Sequence, residues 1–297
     1  MPVVIPFHRD LEFSYGDAAQ VSPLIRRVVA RNPGPFTFHG TGTYIVGRGK
    51  VAVIDPGPDI REHFDALMKA VEGETVSHIL ITHTHRDHSP AAKWLKETTG
   101  AKVYGFGPHP IRPGEKAVEE GGDHDYAPDE RVGDGDVIAG SGWTMEALHT
   151  PGHLSNHLCF GLREEQALFS GDHVMGWSTS VISPPDGDMA DYFASLKKLL
   201  PREDRLYWPT HGPAIPDPQN FVRAFIAHRE DREHQILACI ADGAATIPRM
   251  VEIMYRDVDK RLHPAAARSV LAHLIHMAET GRVRVDDGTD PATYRLA

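Results

Sequence analysis

The chain of 297 residues has two cysteines, no apolar run of membrane-spanning length and no excess of positive charge. Cys159 and Cys239 are too few and too far apart for a disulfide framework or a cysteine zinc site, so both are expected to pack as small apolar groups. A bilayer crossing needs about 20 consecutive apolar residues, and no stretch approaches that. The start, Met1-Pro2-Val3-Val4-Ile5-Pro6, lacks the basic flank and the apolar length of a signal peptide, and a cytoplasmic location is the expectation. With 41 acidic against 31 basic side chains the formal net charge is −10, which offers no general attraction to nucleic acid or to an anionic membrane. A polyanionic substrate would have to be held by local positive charge, including that of bound metal ions.

Histidine is what the chain has in quantity, with 19 residues. Metal-ligating side chains crowd into Thr82-His83-Thr84-His85-Arg86-Asp87-His88, directly after the apolar run Ile79, Leu80, Ile81. That order reads as a strand ending in a metal-binding loop. In an extended segment residues i and i+2 point the same way, so His83 and His85 leave the strand side by side and can share one ion. Ser89 can then cap a helix and Pro90 suits its first turn, so the backbone bends and aims Asp87 and His88 elsewhere, implying a second ion. Imidazole and carboxylate donors suit zinc best, and manganese and iron accept the same set. A histidine-rich surface loop would not need this spacing.

The length allows one large domain and a small one. Residues 1–35 show little period and suggest no chemistry. Thr43 to Val46 and Val51 to Ile54 read as a hairpin turning at Gly47-Arg48-Gly49-Lys50. The second strand stops at Asp55-Pro56-Gly57, where Asp55 is either a turn-former or a group that orients the histidine loop. A helix near Ile60 to Val71 crosses to the Ile79 strand, and another runs from Pro90 to about Thr99 before Gly100 as C-cap. Strand, helix, strand, helix is α/β logic. After a short strand at Lys102 to Tyr104, the polar stretch Gly105 to Asp136 reads as a loop flanking the active site, with His109 and His124 expected at the surface.

Three further strands end in small-residue turns that carry a donor. Trp143 to Leu148 runs into His149-Thr150-Pro151-Gly152-His153, Ala167 to Phe169 stops at Ser170-Gly171-Asp172, and Arg205 to Trp208 stops at Pro209-Thr210-His211-Gly212. Each alone is weak, and their recurrence after the histidine loop is the signal.

With Asp55, His83-Thr84-His85-Arg86-Asp87-His88, His153, Asp172 and His211 in place, the chain from about Phe36 to Gly212 resembles the metallo-β-lactamase-fold hydrolase superfamily. Within it the chain is most similar to the β-lactamase-like protein 2 group, which includes a mitochondrial endoribonuclease. The similar residues are Asn32-Pro33-Gly34-Pro35-Phe36-Thr37, Gly40-Thr41-Gly42-Thr43-Tyr44, Asp191-Tyr192, Ser195-Leu196, His228-Arg229, Arg232-Glu233 and Gln235-Ile236-Leu237. Gly42 departs from the usual Asn, Thr210 from Gly, and Trp177-Ser178-Thr179 from a more acidic version.

The resemblance implies an αββα sandwich with metals in a cleft at the strand ends. One divalent ion would take His83, His85 and His153, the other Asp87, His88 and His211, with Asp172 bridging and Asp55 orienting the loop. Position 85 is His where redox di-iron relatives carry Glu, and position 172 is Asp where true metallo-β-lactamases place Cys or Ser. Two cations lower the pKa of a shared water from near 16 toward roughly 7, so a metal-bridging hydroxide would be available without a protein nucleophile. It would attack a carbonyl or phosphorus while the ions stabilise charge on the non-bridging oxygen. Asp87 would also hold the water by hydrogen bond. His157 is the candidate for protonating the leaving atom, with a core role as the alternative.

Beyond His211 a Pro-rich connector leads to a long helix from Phe221 to about Ile240. Helices near Pro248 to Tyr255 and Pro264 to Thr280 follow, the second with Val270, Leu271, Leu274, Ile275 and Ala278 on one face. Val283 to Val285 and Tyr294 to Leu296 read as a hairpin. Helices followed by a two-stranded wing resemble a winged-helix module. The expected division is 1–215 for the hydrolase domain, 216–240 for a connecting helix and 241–297 for the small, mainly helical winged-helix-like domain. Residues 241–297 hold eight Lys and Arg against eight Asp and Glu, so duplex nucleic acid is not an expected partner, although Arg261, Arg268, Arg282 and Arg284 could form a patch. The module is expected instead to pack over the cleft or at a subunit contact. The functions that follow are a phosphodiesterase or endoribonuclease on single-stranded RNA, a glyoxalase II-like thioesterase or lactone hydrolase, or a nucleic-acid-binding or scaffold protein with structural metals.

Overall fold

Alternation of apolar side chains dictates the layers. In a computed structural model, which describes residues 3–111 and 121–297, the chain forms β1 (Ala19–Gln20), β2 (Ile25–Val29), β3 (Gly42–Val46), β4 (Lys50–Ile54), α1 (Arg61–Ala70), β5 (Thr75–Leu80), α2 (Ala91–Thr99), β6 (Lys102–Gly105) and β7 (Glu130–Arg131). These strands lie in one sheet in chain order, antiparallel from β1 to β4 and parallel from β4 to β7. Next come β8 (Val137–Gly140), β9 (Trp143–His149), β10 (Leu158–Leu162), β11 (Ala167–Gly171), α3 (Met189–Leu199) and β12 (Leu206–Pro209). They make a second sheet in the order β12-β11-β10-β9-β8, in which α3 crosses over between the parallel pair β11 and β12.

On β4, Val51 and Val53 pack against Phe64, Leu67 and Leu95 of α1 and α2, while Ala52 and Ile54 face Trp143, Phe160 and Phe169 of the second sheet. On β11, Phe169 joins that central core and Leu168 points the other way, to Tyr192 and Leu196 of α3. A period of two on strands covered on both faces therefore gives helix, sheet, sheet, helix. Burying each large side chain contributes roughly 1.5–3 kcal/mol, which is why register cannot slip. The parallel neighbours β4 and β5, and β11 and β12, end at one edge, and Tyr44 Oη to the Pro209 carbonyl (2.7 Å) and Leu158 N to the Thr82 carbonyl (2.7 Å) stitch the sheets together there.

The last part packs Ile236, Cys239 and Ile240 of α4 (Pro218–Ala241) against α5 (Ile247–Met254), α6 (His263–Glu279) and the hairpin β13 (Val283–Asp286) and β14 (Thr293–Leu296). No described helix is long and apolar enough to cross a membrane.

Several expectations need correction. Residues 1–35 are not patternless, because β2 lies there with Ile25, Val28 and Val29 buried. Arg26 and Arg27 mask it: Arg26 pairs with Glu74, and Arg27 is buried with Nη1 donating to the Gly212 carbonyl (3.5 Å). Ser89 does not cap α2; its hydroxyl donates to Asp123 (2.6 Å) and the helix begins after Pro90. Gly100 does close it, at φ +73°, with its N–H on the Lys96 carbonyl (2.8 Å). Of the stretch Gly105 to Asp136, residues 112–120 lie outside the described residues; the rest contains β7 and a bridge from Gly122 to His85.

Candidate metal centre

Strand ends deliver the donors, and hydrogen bonds behind the rings of His83, His88, His153 and His211 decide which nitrogen faces inward. Asp55 follows β4 at φ +46°, a left-handed conformation unusual for a non-glycine residue. Its carboxylate accepts from Thr82 N (2.8 Å), Thr82 Oγ1 (2.7 Å), Thr210 Oγ1 (3.2 Å) and His88 Nδ1 (2.9 Å). His88 Nδ1 therefore carries its proton outward and Nε2 faces the centre. Because Thr82 Oγ1 donates to Asp55, it accepts from His83 Nδ1 (3.1 Å), which leaves the His83 Nε2 lone pair pointing in. The carbonyls of Val181 and Gly40 can only accept, so they set the same tautomer in His153 (2.7 Å) and His211 (3.3 Å).

Two pockets result. In the first, His83 Nε2 and His153 Nε2 stand 3.0 and 3.1 Å from His85 Nδ1, with lone pairs converging. Burial, reinforced by neighbouring rings, holds His83 and His85 well below the ordinary histidine value and lowers His153, so these rings are neutral donors. In the second, Asp87 Oδ2 lies 3.0 Å from His211 Nε2 and 3.4 Å from His88 Nε2. Asp172 Oδ2 lies between the pockets, 3.4 Å from His211, 3.6 Å from His88 and 4.0 Å from His153.

Burial alone would raise Asp87 and Asp172, but the adjacent His88 and His211 imidazoles bring both carboxyls far below the usual range. Burial likewise opposes charge on His211, yet Asp172 and Asp87 push it up to about 10, and His88 rises for the same reason. The second pocket demands positive charge. Behind it Thr41 Oγ1 donates to Asp87 Oδ2 (3.3 Å) and is itself held by Asn32 Nδ2 (3.0 Å).

The donor set fits divalent ions. His88 Nε2 and Asp172 Oδ1 are buried with no hydrogen-bond partner, and an ion at each pocket would satisfy them.

Residues 37–211 match the family described as the metallo-beta-lactamase superfamily, more than half of the chain. The chain belongs to that superfamily. Residues 246–290 match the beta-lactamase-associated winged helix domain. An atrochrysone carboxyl ACP thioesterase of Cryptosporiopsis sp. is 31% identical over 90% of this chain and 83% of its own length. A second protein of that name from Claviceps purpurea is 34% identical over 75% of this chain and 67% of its own. A lactamase-like protein of Aspergillus niger is 31% identical over 90% of this chain and 84% of its own. A beta-lactamase domain protein from Burkholderia ambifaria shares the fold with TM-score 0.81 at 20% identity, over 97% of this chain and 96% of that one. This superfamily member is thus a hydrolase of the αββα fold with a C-terminal winged-helix domain.

The structure takes the core reading of His157 over the acid reading, and it moves His109 off the surface. His157 is buried behind His83, their rings stacked at 5.1 Å; its Nε2 accepts from Asp172 N (3.2 Å) and its Nδ1 donates to Thr150 Oγ1 (2.9 Å). With both nitrogens engaged it cannot protonate a leaving group. His109 is not a surface residue; 5% exposed, its Nδ1 meets Thr84 Oγ1 (2.8 Å), which Asn156 Nδ2 also reaches (2.7 Å). His124 is exposed, as expected. The departures find physical places. Thr210 adds a donor to Asp55, and Trp177 stacks on Phe38 (4.8 Å) and leans on Gly212, where a Cβ would come within 2.8 Å of the indole. Sequence missed the Val181 carbonyl, which no residue type signals; Asn32, Gly40 and Thr41 were visible only as residues of the resemblance.

Proposed function

We propose that this protein is a metal-dependent thioesterase that releases a small acyl group from a carrier thiol, with two divalent ions, zinc by its donor preferences, as cofactors. The observation that carries this is the pair of inward-facing donor pockets joined by Asp172 in a chain whose relatives at 31–34% identity are named as carrier-protein thioesterases. Ions held there would supply Lewis acidity toward the acyl oxygen and acidify a water molecule. His83, His85 and His153 would hold one ion, Asp87, His88 and His211 the other, and Asp172 both. Asp87 Oδ2 would also accept a hydrogen bond from the attacking water and aim it at the acyl carbon. Asp55, through His88 and Thr82, keeps the imidazole protons on the outer nitrogens.

The leaving group favours a thioester. Attack forms the acyl C–O bond and breaks the C–S bond, and a thiolate, with a thiol pKa of roughly 8.5, departs without prior protonation. The alkoxide of an RNA phosphodiester is a far poorer leaving group and calls for an acid, a part His157 cannot play. The relatives cited carry no RNA-directed name, and the C-terminal module has no net basic charge. We assign the chemistry to residues 1–215, with 216–240 as a connecting helix and 241–297 as a module that supports the cleft. The test is metal analysis coupled to thiol release from acyl-thioesters, with a lactone and single-stranded RNA in parallel. Thiol release that requires both ions is expected. Turnover of RNA alone would install the endoribonuclease reading, and no turnover with both ions bound would leave the metals a structural role.

A further inference from the structure

Residues 178–187, between β11 and α3, touch the metal centre at two points. The Val181 carbonyl takes the Nδ1 proton of His153 (2.7 Å), and Ser180 Oγ shares its proton between the carbonyls of Asp172 (2.5 Å) and His173 (2.8 Å). The segment is held from behind by α4, where Arg229 donates from Nη2 to the Ser180 carbonyl. Arg229 is 3% exposed, and its guanidinium lies 5.2 Å from the ring centre of Tyr192, whose hydroxyl donates to the same His173 carbonyl (2.8 Å). Among the described residues no carboxylate pairs with Arg229, and its Nε is buried without a partner.

Packing between helices does not require such a group. A buried cation lacking a carboxylate is costly, and an apolar side chain of similar volume fills the space at least as well. The direction in which Arg229 points therefore carries the information. We propose that Arg229 is a positioning residue for the metal centre, holding the Ser180 carbonyl so that Val181 fixes the His153 ring and Ser180 fixes the Asp172 backbone. Arg268 of α6 adds a second tie, from Nε to Ser183 Oγ (3.1 Å), so the C-terminal module grips the same segment. The histidines of the second pocket are anchored elsewhere, by Asp55 and Gly40. Loss of Arg229 therefore loosens the pocket of His83, His85 and His153 first. The inference rests on the two-ion centre proposed above and is independent of the substrate.

The experiment is titration of the full-length chain with Zn²⁺ and Co²⁺ against a competing chelator, alongside thermal unfolding of the metal-free protein. In Arg229→Met one ion equivalent is expected to weaken about 10- to 100-fold, the other to change less, and the metal-free Tm to stay at or above that of the parent. Arg229→Lys, which keeps the charge and a donor, should recover part of the lost affinity. Parental affinity for both ions in Arg229→Met overturns the proposal. So does an equal loss at both pockets that tracks a fall in Tm and is not recovered by lysine. If Arg229→Met does not fold, Arg229→Gln carries the test: weakening of one ion supports the proposal, and parental binding of both overturns it. Thioester turnover enters none of these readouts, so an incorrect substrate assignment and an incorrect role for Arg229 are told apart.

Discussion

Two regions of this molecule bury a carboxylate among histidines, and they treat it in opposite ways. At the strand ends, Asp87 and Asp172 face His88 and His211 with no arginine or lysine in ion-pair contact among the described residues, and the Nδ1 protons of those imidazoles are turned outward. Where the C-terminal module packs on α4, Glu233 of that helix meets Arg282 Nη1 (2.6 Å), His276 Nδ1 (2.7 Å) and His273 Nδ1 (3.4 Å). Burial would raise the Glu233 carboxyl, but those donors hold it down to about 2. One permanent cation makes the difference. With Arg282 present the charge of Glu233 is matched inside the protein; without one, the strand-end cluster keeps a demand for positive charge that a metal ion can meet. A cluster of histidine and carboxylate is not by itself a metal site.

The largest test of this contrast is Asp172→Ala, which removes the carboxylate shared by both pockets. Turnover should fall by more than about 100-fold, beyond the usual loss from outer partners, and metal content should drop below that of the parent in elemental analysis. Retained metal and full activity would break the bridging assignment. Asp55→Asn comes next: an amide cannot accept all four hydrogen bonds without presenting its NH₂ to a donor, so ion affinity should fall roughly 10- to 100-fold in a folded protein. Glu233→Gln should do the reverse, lowering stability by about 1–3 kcal/mol in urea unfolding while metal content stays put. Loss of metal there would erase the distinction between the two clusters.

The smallest effect is in pH dependence. Burial lowers His273 to about 4, well under the value of about 6.5 in an unfolded chain. Between those values the unfolded chain takes up a proton that the native one refuses, so this contribution is complete above pH 6.5 and fades as pH falls toward 4. His63 and His228, lowered by burial to about 4 and about 3, act in the same direction. Glu233 loses its share only below about 4.5. Substituting His273→Gln should make the slope of stability against pH between 6.5 and 4 shallower by up to about one proton, measured as the urea midpoint across that range.

Much of this was open to inspection along the chain. The β3–β4 hairpin, α2 with its glycine stop and the wing at β13–β14 follow from short-range patterns, because alternation and turn chemistry act over a few residues. The donors at 83, 85, 87, 88, 153, 172 and 211 stood out because each closes an apolar run. Strand β2 did not, because its two arginines break the apolar alternation while finding partners in Glu74 and the Gly212 carbonyl. His109 was misplaced and His157 left between two readings because a lone histidine carries no mark of whether it will be solvated or buried on a threonine.

Local pattern, then, determined which segments are strands and helices and which side chains sit at their ends, since those choices rest on backbone preference and on burying one face. Only the assembled sandwich decided that the donors meet, that Asp55, Val181 and Gly40 turn the Nδ1 protons outward, and that Arg282 stands beside Glu233 while, among the described residues, no such cation stands beside Asp172. Those outcomes depend on carbonyls and charges brought together from distant parts of the chain, where hydrogen-bond direction and Coulomb energy change over a few Å.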